Sequence, residues 1–255
     1  MKSNSSALRK ISDFGSLIAL AALIAVISII SPEFRTLDNF FSLLRQSSIN
    51  GFIAFGMTCV ILTGGIDLSV GSVLALTAAF GASMIKNGMP VAAAIIIVLA
   101  VGTVFGSLNG VMITRGRLQP FIATLITMQV FRGVTMIFMN GKPISGLGGS
   151  ALFQFLGRGN VFGIPFPVVL FILLFMLFSF VLGKTTFGRR VYATGSNEVS
   201  AKLSGVNIVK TKIAVYAISG CMAALSGLIL LSRLNSAQPI LGEGYEMDAI
   251  AAAAL

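Results

Sequence analysis

The feature that most constrains the fold is a succession of apolar runs, most of them about as long as a membrane-crossing helix. Such a helix needs about 20 predominantly apolar residues, because lipid hydrocarbon cannot hydrogen-bond to an exposed backbone. The runs cover 14–30, 48–62, 68–85, 90–113, 118–139, 164–182 and 213–231, and an eighth begins near Asp248. The sequence therefore predicts an all-α polytopic membrane protein, a helical bundle that forms a single domain over 1–255.

Charge supports this prediction and indicates a topology. Only 10% of the residues are charged, whereas soluble domains carry about 25%. The net charge is +10, but the basic residues are dispersed between apolar runs, which argues against nucleic-acid binding. With about 13 N-terminal residues in the cytoplasm, eleven basic residues fall inside and six outside, so the positive-inside rule favours this orientation. No small-residue cleavage pattern follows the first run; we interpret it as an uncleaved span, with a cleaved signal peptide as the alternative.

The composition gives no support to an enzyme. Histidine is absent, and both cysteines, Cys59 and Cys221, lie inside apolar runs without metal-ligand spacing. Gly183-Lys184-Thr185 resembles the end of a phosphate-binding loop, but the glycine required five residues earlier is Phe178. We therefore predict no catalytic residue, no metal site and no cofactor.

A polar interruption between the second and third runs is the most informative motif. The stretch 62–72 reads LTGGIDLSVGS, with paired glycines and the carboxylate of Asp67 between two apolar segments. Non-helical backbone and a carboxylate at membrane depth are tolerated only where protein or a water-filled cavity satisfies them. One interpretation is a broken helix at a functional interior; the other is a tight turn in which Asp67 caps the next helix.

Other residues inside the runs are candidates for translocation or for packing. The polar candidates are Asp67, Asn109, Gln129 and Arg132. Because an unpaired buried charge is expensive, we hypothesise that Asp67 and Arg132 compensate each other. Gly102, Gly106 and Gly110 predict a helix-packing seam, and Ser219, Ala223 and Gly227 repeat the spacing.

The longest polar stretch, 183–212, is predicted to lie in the cytoplasm and to contain a short helix. Asn197 can cap this helix and Gly205 can end it. Glu198 and Lys202 form a favourable i,i+4 pair. Such a helix can lie on the bilayer or dock into a partner's groove. The loops 140–163 and 232–247 are predicted to lie outside, and the first should contain no long helix.

Several segments together resemble the membrane permease of bacterial binding-protein-dependent ABC sugar importers, nearest the ribose type. They are Ile61–Ser72, Phe121–Leu125, Arg132–Met136, Gly188–Ala193, Leu203–Gly205, Ser236–Pro239 and Gly244–Ala252. The resemblance implies about ten spans, of which about seven or eight are present, so the C-terminal spans are expected to be missing.

The resemblance also implies partners. These are a cytoplasmic ABC ATPase that binds the ATP, a periplasmic sugar-binding protein, a second permease subunit, and a monosaccharide substrate, in the inner membrane. The 183–212 loop would hold the helix that couples to the ATPase, with residues Asn197, Glu198, Ala201, Leu203 and Gly205. Importers of this broad class often have Glu-Ala-Ala there, whereas this chain has Glu198-Val199-Ser200.

Two other functions fit parts of the sequence. An ion-gradient-coupled secondary transporter or channel could use Asp67 at a broken helix, although no second half-repeat is evident. A membrane scaffold would explain the glycine seams but would leave Asp67 and Arg132 without a role.

Overall fold

The computed structural model describes residues 15–254, and the chain divides into two compact units, the first ending at Leu44 and the second beginning at Arg45. The first unit contains α1 (Gly15–Ile30), a 3-10 turn (Pro32–Arg35) and the beginning of α2 (Leu37–Ile61). The single-domain expectation for 1–255 stays a prediction. The predicted cytoplasmic stretch before Gly15 lies outside the described residues.

The second unit is a helical bundle with four very short strands. Its helices are α3 (Val70–Lys86), α4 (Val91–Thr114), α5 (Pro120–Phe138), α6 (Ala151–Arg158), α7 (Phe166–Lys184), α8 (Thr186–Ser196), α9 (Glu198–Leu203), α10 (Ile208–Leu234) and α11 (Tyr245–Ala254). The strands are β1 (Ile144–Ser145), β2 (Asn160–Val161), β3 (Ile164–Pro165) and β4 (Ser236–Ala237). β1 pairs antiparallel with β4, and β2 pairs antiparallel with β3.

Helices form at every apolar run that the sequence singles out. Two of them extend into polar sequence: α2 begins at Leu37 rather than at 48, and α10 begins at Ile208 rather than at 213. At α10 the side chain of Asn207 accepts a hydrogen bond from the backbone N–H of Lys210 at 2.9 Å, which caps the helix before its apolar part begins. Hydropathy alone therefore places both helix starts too late.

Four described helices, α4, α5, α7 and α10, are long and apolar enough to cross a membrane. Residues 17–30 of α1, and α3, form shorter apolar helices. The predicted all-α polytopic membrane fold is confirmed.

The core of the second unit is α3, which packs against α4, α5 and α10. Thirteen of its 17 residues are buried. The loop 140–163 contains only the eight-residue helix α6 and short strands. The polar loop between α7 and α10 holds two helices, α8 and α9, rather than one.

Candidate functional site

The polar motif after α2 is a break between two helices. α2 ends at Ile61 and α3 begins at Val70, and the chain between them contains turns and irregular backbone. Gly64 has a φ of 75°, a left-handed conformation that glycine adopts without a steric penalty. The chain therefore turns at Gly64, after the end of α2, and becomes helical again only at Val70, beyond Asp67.

The carboxylate of Asp67 is buried and accepts hydrogen bonds from Ser69, just before α3, and from Ser219 in α10. Its Oδ1 accepts the Ser69 backbone N–H at 3.1 Å and the Ser69 hydroxyl at 2.6 Å. Its Oδ2 accepts the Ser219 hydroxyl of α10 at 2.8 Å. Asn109 of α4 donates to the Ser69 Oγ at 2.7 Å. Asp67 thus forms a local turn and also ties the break to α4 and α10. The N-cap residue of α3 is Ser69 rather than Asp67, and the interpretation of the break as a functional interior stays a prediction.

The backbone of the break is satisfied by neighbouring helices. The Ile66 carbonyl accepts hydrogen bonds from the hydroxyls of Tyr216, at 3.3 Å, and Thr124, at 3.4 Å. A Cβ added to Gly65 would lie 2.5 Å from the Tyr216 hydroxyl oxygen, so a larger residue would displace this contact. Protein groups thereby replace the water that irregular backbone needs at membrane depth.

Arg132 has different partners from those hypothesised. Its Nη1 donates to the carbonyl oxygens of Pro239 and Leu241, at 2.8 and 2.9 Å. The negative charges that act on it come from Glu243 and Glu246. The hypothesis that Arg132 compensates Asp67 is therefore wrong: Asp67 is held by hydroxyl and amide donors, and Arg132 holds the loop that follows α10.

The remaining candidates lie in two different environments. Asn109 belongs to the Asp67 cluster, whereas Gln129 is exposed on α5. Sequence reasoning missed Tyr216 and Thr124, and it assigned Ser219 to packing because of its spacing with Ala223. A hydroxyl inside an apolar run is the only signal that could have identified them.

The predicted glycine seam lies against α10. A Cβ added to Gly102 would meet Ala224 and Gly220, one added to Gly106 would meet Tyr216 and Gly220, and one added to Gly110 would meet Ile213. The absence of side chains at these positions is what lets α4 and α10 approach each other so closely.

A second candidate site is the helix α9. Asn197 caps it by accepting the backbone N–H of Ser200 at 2.9 Å, and Gly205 follows it with a φ of 83°. Ala201 is buried, whereas Val199 and Leu203 are 70% and 85% exposed. α9 therefore presents two apolar side chains that the described residues, 15–254, leave uncovered.

An open groove lies beside α9. Its volume is about 810 Å³. It is lined by Ile113, Thr114, Glu198, Val199, Lys202, Gly205, Val206, Asn207, Ile208, Val209 and Lys212. Glu198 forms an ion pair with Lys212 of α10, not the predicted pair with Lys202. The ion pair fastens the start of α9 to α10, although a partly exposed pair of this kind contributes only about 0.2–1 kcal/mol.

α9 and the helix break are joined by α8. A Cβ added to Gly195, near the end of α8, would collide with the carbonyl oxygen of Leu62 and would lie 2.9 Å from its carbonyl carbon. α8 also packs against α9 and α10. α8 therefore packs against both α9 and the end of α2, the segment that leads into the break.

Membrane-length apolar helices around an interior break indicate a multi-pass membrane protein. Comparison with known proteins specifies the family. A family profile described as "Branched-chain amino acid transport system / permease component" matches residues 39–255. The chain belongs to this permease family.

The curated relatives include sugar permeases. The ribose import permease proteins of Haemophilus influenzae and Bacillus subtilis are 50% and 51% identical to this chain. These matches cover 93% and 94% of this chain and 74% and 75% of the relatives. The L-arabinose transport system permease protein of Escherichia coli is 37% identical, over 95% of this chain and 73% of the relative. No solved structure matches the chain. The resemblance to sugar-importer permeases is confirmed.

Proposed function

We propose that this chain is the permease subunit of an ATP-driven importer for ribose or a related monosaccharide. The observation that carries the proposal is sequence identity: this chain is 50% and 51% identical to two ribose import permeases over at least 93% of its length. The buried interior supports it, because a sugar is uncharged and needs hydrogen-bonding groups rather than a counter-ion along its path. We expect the chain to hold no cofactor of its own.

In this proposal α9 is the element that docks the cytoplasmic ATPase. Its exposed Val199 and Leu203 supply an apolar face of the kind that inserts into a partner's groove. The ATPase would bind and hydrolyse ATP, and a periplasmic binding protein would deliver the sugar. A second permease subunit would complete the pore.

In this proposal the contact between Gly195 and Leu62 transmits movements caused by the ATPase to the helix break. A displacement of α9 would press α8 against the end of α2, where the chain turns towards Asp67. Packed elements transmit such displacements because a close-packed interior has few voids to absorb them. Asp67, Asn109 and the break would then move as a unit between two access states.

The proposed location is the bacterial inner membrane, with the N-terminus in the cytoplasm. This orientation rests on the bias of basic residues towards one side. It places α9 and its groove on the same side as the ATPase, and the loop held by Arg132 on the side of the binding protein.

The proposal is tested by uptake of labelled ribose in cells that lack their native ribose system. The cells express this permease together with its ATPase and binding protein, and unlabelled ribose, arabinose and xylose are added as competitors. We expect saturable uptake that one of these sugars abolishes. If none competes and no uptake occurs with any of them, the monosaccharide assignment is wrong.

The second candidate is an ion-gradient-coupled transporter that uses Asp67. The observation in its favour is a fully buried carboxylate at a break between helices. The hydrogen bonds argue against it, because the hydroxyls of Ser69 and Ser219 donate to this carboxylate and already satisfy it. Uptake that persists after the ion gradient has been collapsed would exclude this candidate.

A further inference from the structure

The helices α3 and α10 pack side by side and run in the same direction. A Cβ added to Gly227 of α10 would lie 2.7 Å from the carbonyl oxygen of Leu74 in α3. Further along both helices, a Cβ added to Gly81 would lie 3.4 Å from the side chain of Leu231. At 1.5 Å per residue, the level of Leu74 is therefore about 10 Å below the end of α10 at Leu234.

The loop that follows α10 returns to this level inside the bundle. A Cβ added to Gly242 would lie 2.9 Å from the carbonyl oxygen of Gly71 and 3.0 Å from the Leu74 side chain. The loop backbone therefore touches the first turn of α3, and Leu241 and Gly242 are buried there. Irregular backbone at membrane depth is tolerated where protein encloses it in this way. We call residues 236–243 the strap.

Three attachments hold the strap in place. At its start, the two residues of β4 pair with β1. In its middle, Arg132 of α5 donates to the carbonyl oxygens of Pro239 and Leu241 at 2.8 and 2.9 Å. At its end, Gly242 lies against Gly71. A two-residue ladder, two side-chain hydrogen bonds and a van der Waals contact can all be broken while the helices stay intact.

A residue in the left-handed region flanks the strap on each side. Asn235, which precedes it, has a φ of 53°, and Gly244, which follows it, has a φ of 85°. α10 ends at Leu234 and α11 begins at Tyr245. The strap thus joins two helices through one turn residue at each end, and such element-terminal residues are where hinges lie in moving segments.

The strap also covers the Asp67 break. Ser72, the residue after Gly71 in α3, donates to the Ser69 carbonyl oxygen at 2.8 Å, so the turn of helix beneath the strap leads directly into the break. At the other end of the bundle, α8 packs against the end of α2. The break is therefore enclosed from both ends of the bundle, and the strap closes the end at which α10 stops.

We propose that the strap is a gate, which is closed in the observed structure and lifts by turning at Asn235 and Gly244 to let the sugar pass. Arg132 is a positioning residue that holds the gate closed from α5. Segments of this kind control access in many proteins that must enclose a small molecule. The inference rests on the proposed import of a monosaccharide and adds the segment that controls access to the break.

A disulfide between β1 and β4 should hold the gate closed. Ser145 and Ser236 are register partners, and the Cα atoms of such partners lie about 4.5–5.5 Å apart, which a disulfide can span. In a background with Cys59→Ala and Cys221→Ala, Ser145→Cys and Ser236→Cys are introduced together and oxidised in membranes. Because a gate opens in every transport cycle, uptake of labelled ribose should fall by roughly tenfold or more and return on reduction.

The matched control is the hairpin of β2 and β3, which is not part of the strap. Val161 and Ile164 are register partners there, so Val161→Cys with Ile164→Cys forms a cross-link of the same kind. Oxidation of this variant should leave uptake unchanged. An equal loss of uptake in the control, or uptake that continues when the cross-link between β1 and β4 is complete, would overturn the gate.

Labelling of a cysteine beneath the strap measures the gate without sugar transport. Ser72→Cys replaces a buried hydroxyl with a thiol, and its reaction with a water-soluble maleimide in nanodiscs reports opening. Arg132→Gln should raise the labelling rate by about tenfold or more, since it removes two charge-assisted hydrogen bonds to the strap. Arg158→Gln is the matched control, because Arg158 donates to the carbonyl oxygen of Arg233 in α10 at 3.0 Å. It should leave the labelling rate unchanged.

The outcomes separate the gate from the sugar. If the cross-link between β1 and β4 suppresses labelling of Ser72→Cys in a protein that imports no monosaccharide, the gate is supported and the proposed substrate is wrong. If labelling proceeds at one rate in Arg132→Gln, in Arg158→Gln and in the cross-linked protein, the gate is overturned whatever the uptake shows.

Discussion

The contact between α4 and α10 makes a sharp prediction about Gly106. A Cβ at this position would lie 2.9 Å from the carbonyl carbon of Tyr216 and 3.0 Å from the backbone nitrogen of Gly220. Both obstacles are backbone atoms, which cannot rotate away as a side chain can. Gly106→Ala must therefore move the two helices apart. Overpacking of this kind costs about 1–3 kcal/mol, which corresponds to a fall in melting temperature of about 2–12 °C for a protein of this size.

The assay is thermal unfolding of the purified protein in detergent, followed by loss of the monodisperse peak. The matched control is Gly183→Ala, since Gly183 also lies in an apolar helix but has nothing within 4 Å of its added Cβ. Alanine is the better helix former, so the control should be unchanged or slightly more stable. Equal melting temperatures for the two variants would show that α4 and α10 do not approach closely at Gly106, and the account of the seam would fail.

Three further predictions concern the charged residues. Asp67 and Arg132 have separate partners, so the losses in stability of Asp67→Asn and Arg132→Gln, measured by thermal unfolding, should add in the double variant to within about 0.5 kcal/mol. A larger coupling energy would restore the hypothesis that the two residues pair. Arg132→Gln removes two charge-assisted hydrogen bonds to the loop 235–244, each worth about 1.5–3 kcal/mol. Hydrogen exchange should therefore become faster in this loop but not in α7. Unchanged exchange in the loop would show that Arg132 does not hold it. Glu198→Lys combined with Leu203→Asp should reduce co-purification of the ATPase severalfold while the permease remains inserted, and undiminished recovery would show that α9 is not the docking helix.

The last of these predictions needs a control for added charge. Lys142→Glu changes the charge by two units, as Glu198→Lys does but with the opposite sign, at an exposed position far along the chain from α9. It should leave ATPase recovery unchanged. A similar loss in this variant would point to insertion rather than docking as the cause.

The sequence predicted the helices well because apolar periodicity is a local property. The run 90–113 became α4 (Val91–Thr114) almost unchanged, and the run 118–139 became α5 (Pro120–Phe138). The start of α2 at Leu37 was missed because hydropathy reports burial in lipid rather than helix formation. A polar stretch next to an existing helix can extend that helix at little cost in free energy, because only the formation of the first helical turn is unfavourable.

The sequence identified two residues of the Asp67 cluster but not the contacts that assemble it. Asp67 and Asn109 were candidates, yet the cluster also depends on Ser219, which is 152 positions from Asp67 along the chain. Glu198 had a favourable partner one turn away in Lys202 and pairs instead with Lys212. Spacing along the chain shows which residues could pair, but the tertiary fold determines which of them do. A pattern in a single sequence does not contain that information.

The measurement that tests the central claim most directly is the energy source of uptake. Cells expressing the permease with its ATPase and binding protein are given labelled ribose under two treatments. One collapses the ion gradient while ATP is maintained, and the other depletes ATP. The account predicts that uptake survives the first treatment and stops in the second. Uptake that stops when the gradient alone is collapsed would contradict it and would assign Asp67 to ion coupling.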